Sequence, residues 1–266
     1  MPEGHTIHRL ARDVAADLRG HEVRTEARQD RFAAGAQRLD RRVLEHTSAL
    51  GKHLFLHFAE SDGHGPEILH VHLGLFGKFV RRPLPIDGAS DALRIRLLGP
   101  DHGWDLTGAI ICAVREPDVV DEVAAKLGPD PLRRDADPQR FVDRVVRSRK
   151  AIGALLLDQT VIAGIGNVYR AEILHLNGIH PEREGRSLDE HEARSLWDTA
   201  VAQLRLGLKR NRIVTVPLQG RTASRISRIE AVHVYGQERC RTCGTLVERA
   251  DVGGRNSFAC PACQPR

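Results

Sequence analysis

The apolar positions change period twice along the chain. Between residues 6 and 19, Ile7, Leu10, Ala11, Val14 and Leu18 recur at helical spacing, and Gly20 follows as a stop. From about 21 to 115 the pattern shortens to alternating or apolar runs, HEVRTEAR, HLFLHF, ILHVHL, ALRIRLL and AIICAV. Gly, Pro and Asp clusters separate these runs, which predicts a sandwich or barrel of short strands. Beyond PDVVDEVAAKLGPDPL the period is helical again, through FVDRVV, IGALLLDQTVI, NVYRAEILHLNG and a long segment near 187–209. Ser187 with Glu190 three residues later predicts a capping box opening that last helix. The predicted organisation is α+β: a β-rich domain over 1–118, a helical domain over 119–230 and a small metal module over 231–266.

Composition adds the class and a hint of the partner. With 266 residues, 41% hydrophobic and 28% charged, the chain reads as an ordinary globular protein with a sizeable core. No run approaches the length of a membrane span, and MPEGHTIHRLARD lacks the apolar stretch of a secretory signal, so a cytoplasmic protein is expected. The net charge is +5, but from Arg205 onward twelve Lys/Arg face four Asp/Glu, leaving about −3 on the rest. A basic C-terminal part on a near-neutral body fits a nucleic-acid footprint, and equally a solvated arginine-rich surface. Aromatic residues are scarce at 4%, which argues against a stacking platform for single strands.

The tail supplies sharper chemistry. Cys240, Cys243, Cys260 and Cys263 form a C-x2-C-x16-C-x2-C pattern, the spacing of a closed, structural four-thiolate zinc site with room for a β-hairpin between the pairs. Two disulfides are the competing reading, disfavoured without an export signal. Cys112 lies in AIICAV and reads as a strand residue rather than a reactive thiol. Arg255, among glycines at the expected hairpin tip, could bring a planar fork of donors to a phosphate, although surface arginines are common.

At the other end, Pro2 follows the initiator Met, whose removal would leave a free secondary amine able to attack a sugar C1′ and form an iminium. Glu3 beside it could act as general acid–base. A Met-Pro-Glu start also occurs by chance, and an N-terminal proline serves as a base in small tautomerases, which need neither zinc module nor basic tail.

Taken together, four motifs resemble the endonuclease VIII and formamidopyrimidine-DNA glycosylase family, over Pro2 to Gln264: PEGHTIH, GKHLFLHF, QTVIAGIGNVYRAEILHLNGIHP and GRNSFACPACQ, in that order and spacing. The resemblance implies an N-terminal β-sandwich flanked by helices, then a helical domain with a helix-two-turns-helix and a four-cysteine zinc finger. It implies a base-excision-repair glycosylase with AP lyase activity that binds damaged double-stranded DNA and flips the damaged nucleotide out. Position by position, Pro2 matches the proline that forms the Schiff base and Glu3 the carboxylate that protonates the opening sugar. Lys52 matches a lysine assigned to β-elimination and phosphate contact, Asn167 an asparagine that binds the backbone at the lesion, and Arg255 the zinc-finger arginine assigned to phosphate and δ-elimination. Lys126 falls near a position that is basic in relatives. Bottom-up, the Gly-rich turn before Asn167 opens a helix and is suited to an anion.

Departures narrow the branch. Leu75 and Phe76 sit where the family inserts side chains into the gap left by the flipped base; as bare residues they would equally read as core strand and turn. The guanine-lesion branch has an arginine-bearing stretch where this chain has Asp105-Leu106-Thr107-Gly108. The pattern is closer to endonuclease VIII of actinobacterial type, with oxidised pyrimidines as expected substrates, one structural zinc, no organic cofactor, no membrane, and a monomer. The alternatives are a formamidopyrimidine/8-oxoguanine-type glycosylase and a catalytically silent lesion-binding zinc protein.

Overall fold

The computed structural model describes residues 2–61, 63–88 and 90–266; the expected removal of Met1 concerns a residue outside these. Two compact units result, one of Pro2 and Ile7–Lys126, the other of Glu3–Thr6 and Leu127–Arg266.

The first unit receives helix α1 (Gly4–Leu18) and contains β1 (Glu22–Glu26), α2 (Asp30–Leu39), β2 (Arg42–Leu50), β3 (His53–Phe58), β4 (Glu67–His72), β5 (Lys78–Pro83), β6 (Leu93–Leu98), β7 (His102–Thr107), β8 (Ile111–Arg115) and α3 (Val119–Ala124). The strands pair in the order β5-β7-β6-β1-β2-β3-β4-β8, each pair antiparallel. β1 changes partner midway: Glu22 and Val23 pair with β2, Arg24 to Glu26 with β6. That two-residue link folds the ribbon into two four-stranded layers around one core, with Leu54, Leu56, Leu69 and Val71 from one half and Phe79, Ile95, Leu97 and Leu106 from the other. Ile7, Val14 and Leu18 of α1 join it, so the predicted first helix forms and buries the predicted face. The expected sandwich is therefore present.

Four elements escaped the sequence pattern. Strand β2 is one: a bulge between Leu44 and His46 interrupts its alternation. Helix α2 lies inside the stretch expected to be strand: its apolar stripe is short, Ala36 and Leu39 buried with Phe32 half-buried on the same face, and does not stand out among the strand runs. β5 is an edge strand that buries only Phe79. β7 breaks the alternation for the opposite reason: four consecutive residues are buried, Asp105 among them. Asp105 is tolerated there because Arg96, its cross-strand partner, grips it bidentately at 2.6 and 3.0 Å, with Arg82 at 2.9 Å.

The second unit holds α4 (Pro138–Val146), α5 (Ile152–Leu155), α6 (Asn167–Leu176), α7 (Glu190–Arg210), β9 (Glu248–Asp251) and β10 (Asn256–Ala259). Phe141, Ile152, Leu156, Ile165, Tyr169, Ile173, Leu196, Trp197 and Leu204 form its core. α5 is one turn long, and the turns of 156–166 separate it from α6, the helix-two-turns-helix expected from the resemblance. The capping box on α7 is Asp189 with Glu192, not Ser187 with Glu190. Ser187 ends a 3-10 turn and spends its hydroxyl on Glu184 O, so the helix starts two residues later than the motif suggested. Residues 213–231 fold on a cluster of Val214, Ile226 and Ala231, held by Arg212 donating to the carbonyls of Ala223 and Ile226. Among the described residues no helix is long and apolar enough to cross a membrane.

Buried and half-buried histidines are expected to make this fold acid-sensitive. Burial, reinforced by neighbouring positive charge, pushes His53 down to about 3 and His5, His57 and His70 to about 4. Between those values and the ordinary histidine range the unfolded chain binds more protons than the folded one, so stability rises with pH there. Urea midpoints are expected to fall steadily from pH 7 to pH 4.5, and a flat profile over that range would contradict the burial.

Candidate active site

The site is organised by the N-terminus of α6. The first N–H groups of a helix have no partner within it, and here the residue before α6, Gly166, offers no side chain to cap them. Glu3 supplies the acceptor from 163 residues away in sequence: its carboxylate takes hydrogen bonds from Gly166 N at 2.8 Å, Val168 N at 3.0 Å and Tyr169 N at 3.4 Å. Glu3 is fully buried. The Gly-rich turn thus serves as an anion site, as its sequence suggested, and the anion it holds is the chain's own. Two glycines permit the approach. A Cβ on Gly166 would lie 2.4 Å from the Glu3 carboxyl carbon, and one on Gly4, whose N–H donates to Gly164 O, would lie 2.9 Å from Gly164 Cα. Pro2, half-buried, immediately precedes this carboxylate.

Successive residues of α6 then anchor the tail. Asn167 donates through Nδ2 to Asn256 O at 3.0 Å, and its buried Oδ1 has no hydrogen-bond partner. Arg170, fully buried, donates to the carbonyls of Val252 at 2.6 Å and Asn256 at 2.9 Å. Burial, with the nearby Arg255 charge, holds Arg170 down to about 10. Glu172 accepts four hydrogen bonds, from Thr215 Oγ1 and the N–H groups of His233, Val234 and Tyr235. Neither Arg170 nor Glu172 stood out in the sequence; the signal available was two opposite charges in a helix otherwise made of core residues. His5 meets Tyr169 edge-on at 5.3 Å beneath the same helix end.

These carbonyl anchors fix the turn between β9 and β10, where Arg255 is exposed at the expected hairpin tip. Asn167, Tyr235, Asp251, Gly254, Arg255, Asn256 and Phe258 line a pocket of about 390 Å³ there. The structure therefore gathers Glu3, Asn167 and Arg255 around one helix end within the second unit. Below them the four tail thiols converge with all sulfurs within 4.8 Å, the pairs Cys240–Cys263 at 4.0 Å, Cys243–Cys260 at 3.4 Å and Cys243–Cys263 at 3.5 Å. A tetrahedral ion with Zn–S near ~2.3 Å requires sulfurs about 3.8 Å apart, so the donor set fits one structural zinc with no open position. Cys112 is elsewhere, in β8, and burial pushes its thiol up to about 12.

The remaining candidates lie in the first unit. Lys52 is half-buried in the β2–β3 turn, close enough to His53 and His72 for its charge to lower both. Leu75 and Phe76 form the β4–β5 turn and are 47% and 84% exposed, so they are not core residues. Lys126 is exposed just beyond α3.

Two consequences can be measured. Gly166→Ala must displace the Glu3 carboxylate and is expected to cost about 1–3 kcal/mol, seen as a lower Tm; an unchanged Tm would mean the cap is dispensable. Chelation is expected to release one zinc per chain, expose four thiols to a thiol reagent and make the β9–β10 hairpin protease-sensitive.

The comparisons agree with this geometry. The formamidopyrimidine-DNA glycosylase N-terminal domain profile matches residues 1–109, its H2TH domain profile residues 127–217, and the zinc finger found in FPG and IleRS residues 237–266. The Endonuclease 8 1 proteins of Mycobacterium tuberculosis and Mycobacterium bovis are each 43% identical over 272 residues, spanning 99% of this chain and all of the relative. A formamidopyrimidine-DNA glycosylase of Bacillus cereus is 32% identical over 237 residues, 84% of this chain and 82% of its own. Lactococcus lactis Fpg, solved in complex with an abasic site containing DNA, superposes with a TM-score of 0.80 at 25% identity, covering 99% of this chain and all of that one. The chain therefore belongs to the formamidopyrimidine-DNA glycosylase and endonuclease VIII family of bifunctional DNA glycosylases and AP lyases.

Proposed function

We propose that the protein removes oxidised pyrimidines from double-stranded DNA and cleaves the resulting abasic site through a Schiff base on Pro2. The observation that carries this reading is the Glu3 carboxylate, buried and held by three backbone N–H groups directly beside Pro2. With the initiator Met removed, the Pro2 amine attacks C1′ as the damaged base departs. Glu3 takes up the proton the amine sheds and passes it to the ring oxygen, giving an open-chain iminium. The iminium acidifies the C2′ proton; β-elimination and then δ-elimination follow, with Lys52 and Arg255 in the proton-transfer and phosphate roles. Asn167 and Arg255 grip the backbone at the lesion from the pocket at the hairpin tip, and Lys126 adds a phosphate contact. Leu75 and Phe76 fill the vacated stack, which offsets part of the cost of flipping. Zinc holds the hairpin that presents Arg255 and takes no part in bond making. No organic cofactor is required, and the protein acts as a monomer at the nucleoid.

The pyrimidine preference is supported by full-length similarity to Endonuclease 8 1 and by the side chain at 105. Asp105 lies where the guanine-lesion branch carries an arginine-bearing stretch, and its carboxylate is already committed to Arg96 and Arg82.

Borohydride trapping on duplexes carrying an abasic site, thymine glycol or 8-oxoguanine opposite cytosine tests the proposal. A covalent adduct is expected with the wild type and none with Pro2→Gly; Glu3→Gln should slow base removal by at least ~100-fold. Zinc-loaded, Met-processed protein that binds the duplex yet gives no adduct would instead be a lesion-binding protein, and 8-oxoguanine as best substrate would move it to the other branch.

A further inference from the structure

Strand β8 ends the strand order, so the sandwich has an open edge there. Helix α2 packs against β1, β6 and β8, and a cavity of about 250 Å³ remains between the helix and that edge. Its floor is apolar and reaches the core between the layers, with Leu69 from β4, Ile95 from β6, and Cys112 and Val114 from β8. Its mouth is set by one stripe of α2. Arg31, then Ala34 with Gly35, then Arg38 follow each other at the three- and four-residue spacing that shares a helix face. The two small residues leave a gap between two guanidinium groups. That gap is already narrow, since a Cβ on Gly35 would lie 3.2 Å from Val114 Cγ2.

The arginines at this mouth are held in place by the protein itself. Arg31 lies 4.8 Å over the Phe32 ring and donates through Nε to Gln29 Oε1 at 3.1 Å. Arg94 lies 4.9 Å over the same ring and donates to the same oxygen at 3.2 Å. Arg38 donates through Nε and Nη2 to Glu67 Oε1, at 2.9 and 2.7 Å. Among the described residues neither Arg31 nor Arg94 makes an ion pair, and the Arg94 Nε is buried without an acceptor. Burial keeps the Cys112 thiol neutral, so the floor adds no charge of its own. Uncompensated positive charge thus surrounds an apolar hole, which matches a carboxylate beside a large apolar side chain. The hole is smaller than the roughly 300–1,000 Å³ of sites for drug-sized ligands, so it holds one side chain rather than an acyl chain or a nucleotide. We infer that this opening docks the C-terminal end of an acidic segment of a partner protein. The last apolar side chain of that segment enters the cavity, its terminal carboxylate sits between Arg31 and Arg38, and acidic residues before it face Arg94. A free chain end carries both required groups on a single residue.

The test follows the fluorescence anisotropy of an N-terminally labelled peptide, a run of Asp ending in Phe with a free carboxylate, titrated with the full zinc-loaded protein. Saturable binding is expected. Replacing the final Phe by Ala should weaken it at least about tenfold, the order expected for one buried aromatic side chain. Amidating the terminal carboxylate should weaken it by about the same factor, as for loss of a charge-assisted hydrogen bond. Ala34→Leu fills the mouth from an exposed position and should weaken binding at least about tenfold, and Arg31→Gln about fivefold. Neither variant should change Tm or the rate of abasic-site cleavage, since both side chains are exposed. Wild-type protein that binds no peptide at about 1 mM would overturn the inference, and so would equal affinity for the amidated peptide. Decanoate that displaces the label at lower concentration than the unlabelled peptide would make the cavity a site for a small amphipathic acid, against a protein partner. Binding that Ala34→Leu leaves unchanged, or that duplex DNA abolishes, would place the peptide on a DNA-binding surface and would equally overturn it.

Discussion

The start of α6 rests on one long-range hydrogen-bonded pairing, the Glu3 carboxylate on its N-terminus. A buried helix end with unsatisfied N–H groups costs about 1–3 kcal/mol per group, and a buried carboxylate without partners costs still more. Each would be a defect alone; together they satisfy one another, aided by the helix dipole. The pairing also brings the chain's third residue to the start of α6, whose next residues hold the tail.

Helix α6 is unusual in burying polar groups on nearly every side. Asn167, Arg170, Glu172 and His175 are all buried beside Tyr169 and Ile173. Arg170 and Glu172 are not paired with each other in the hydrogen-bond pattern; each is satisfied by backbone, carbonyls for the cation and N–H groups for the anion. Backbone partners tie a charge to a specific loop conformation, so the helix fixes both 233–235 and the turn carrying Arg255. Zinc closes the same tail from beneath. The exposed arginine is therefore presented by a buried framework rather than by its own neighbours.

In the first unit the same logic appears in a sheet. Arg96 and Asp105 face each other across β6 and β7, and their pairing lets a charge sit where the strand is otherwise apolar. At the two packed turns, 74–77 and 107–110, glycine serves differently: the missing Cβ at 74 makes room for the Ile110 side chain.

The sequence by itself determined the class of fold, the zinc ligands and the first helix, because each rests on short-range chemistry: helical spacing from Ile7 to Leu18, alternation in HLFLHF, and thiols two residues apart. Motif resemblance named Pro2, Glu3, Asn167 and Arg255 as residues of interest without showing what they touch. Only the tertiary structure decided that Glu3 caps α6, that Asp189 rather than Ser187 starts α7, and that Asp105 belongs to a buried pair. It alone showed α2 hidden among strands and Ile110 lying over Gly74. For Glu3 and Asp105 the physical reason is the same. A buried polar group is specified by its partner's position, and that partner lies up to 166 residues away, beyond the reach of any periodicity along the chain.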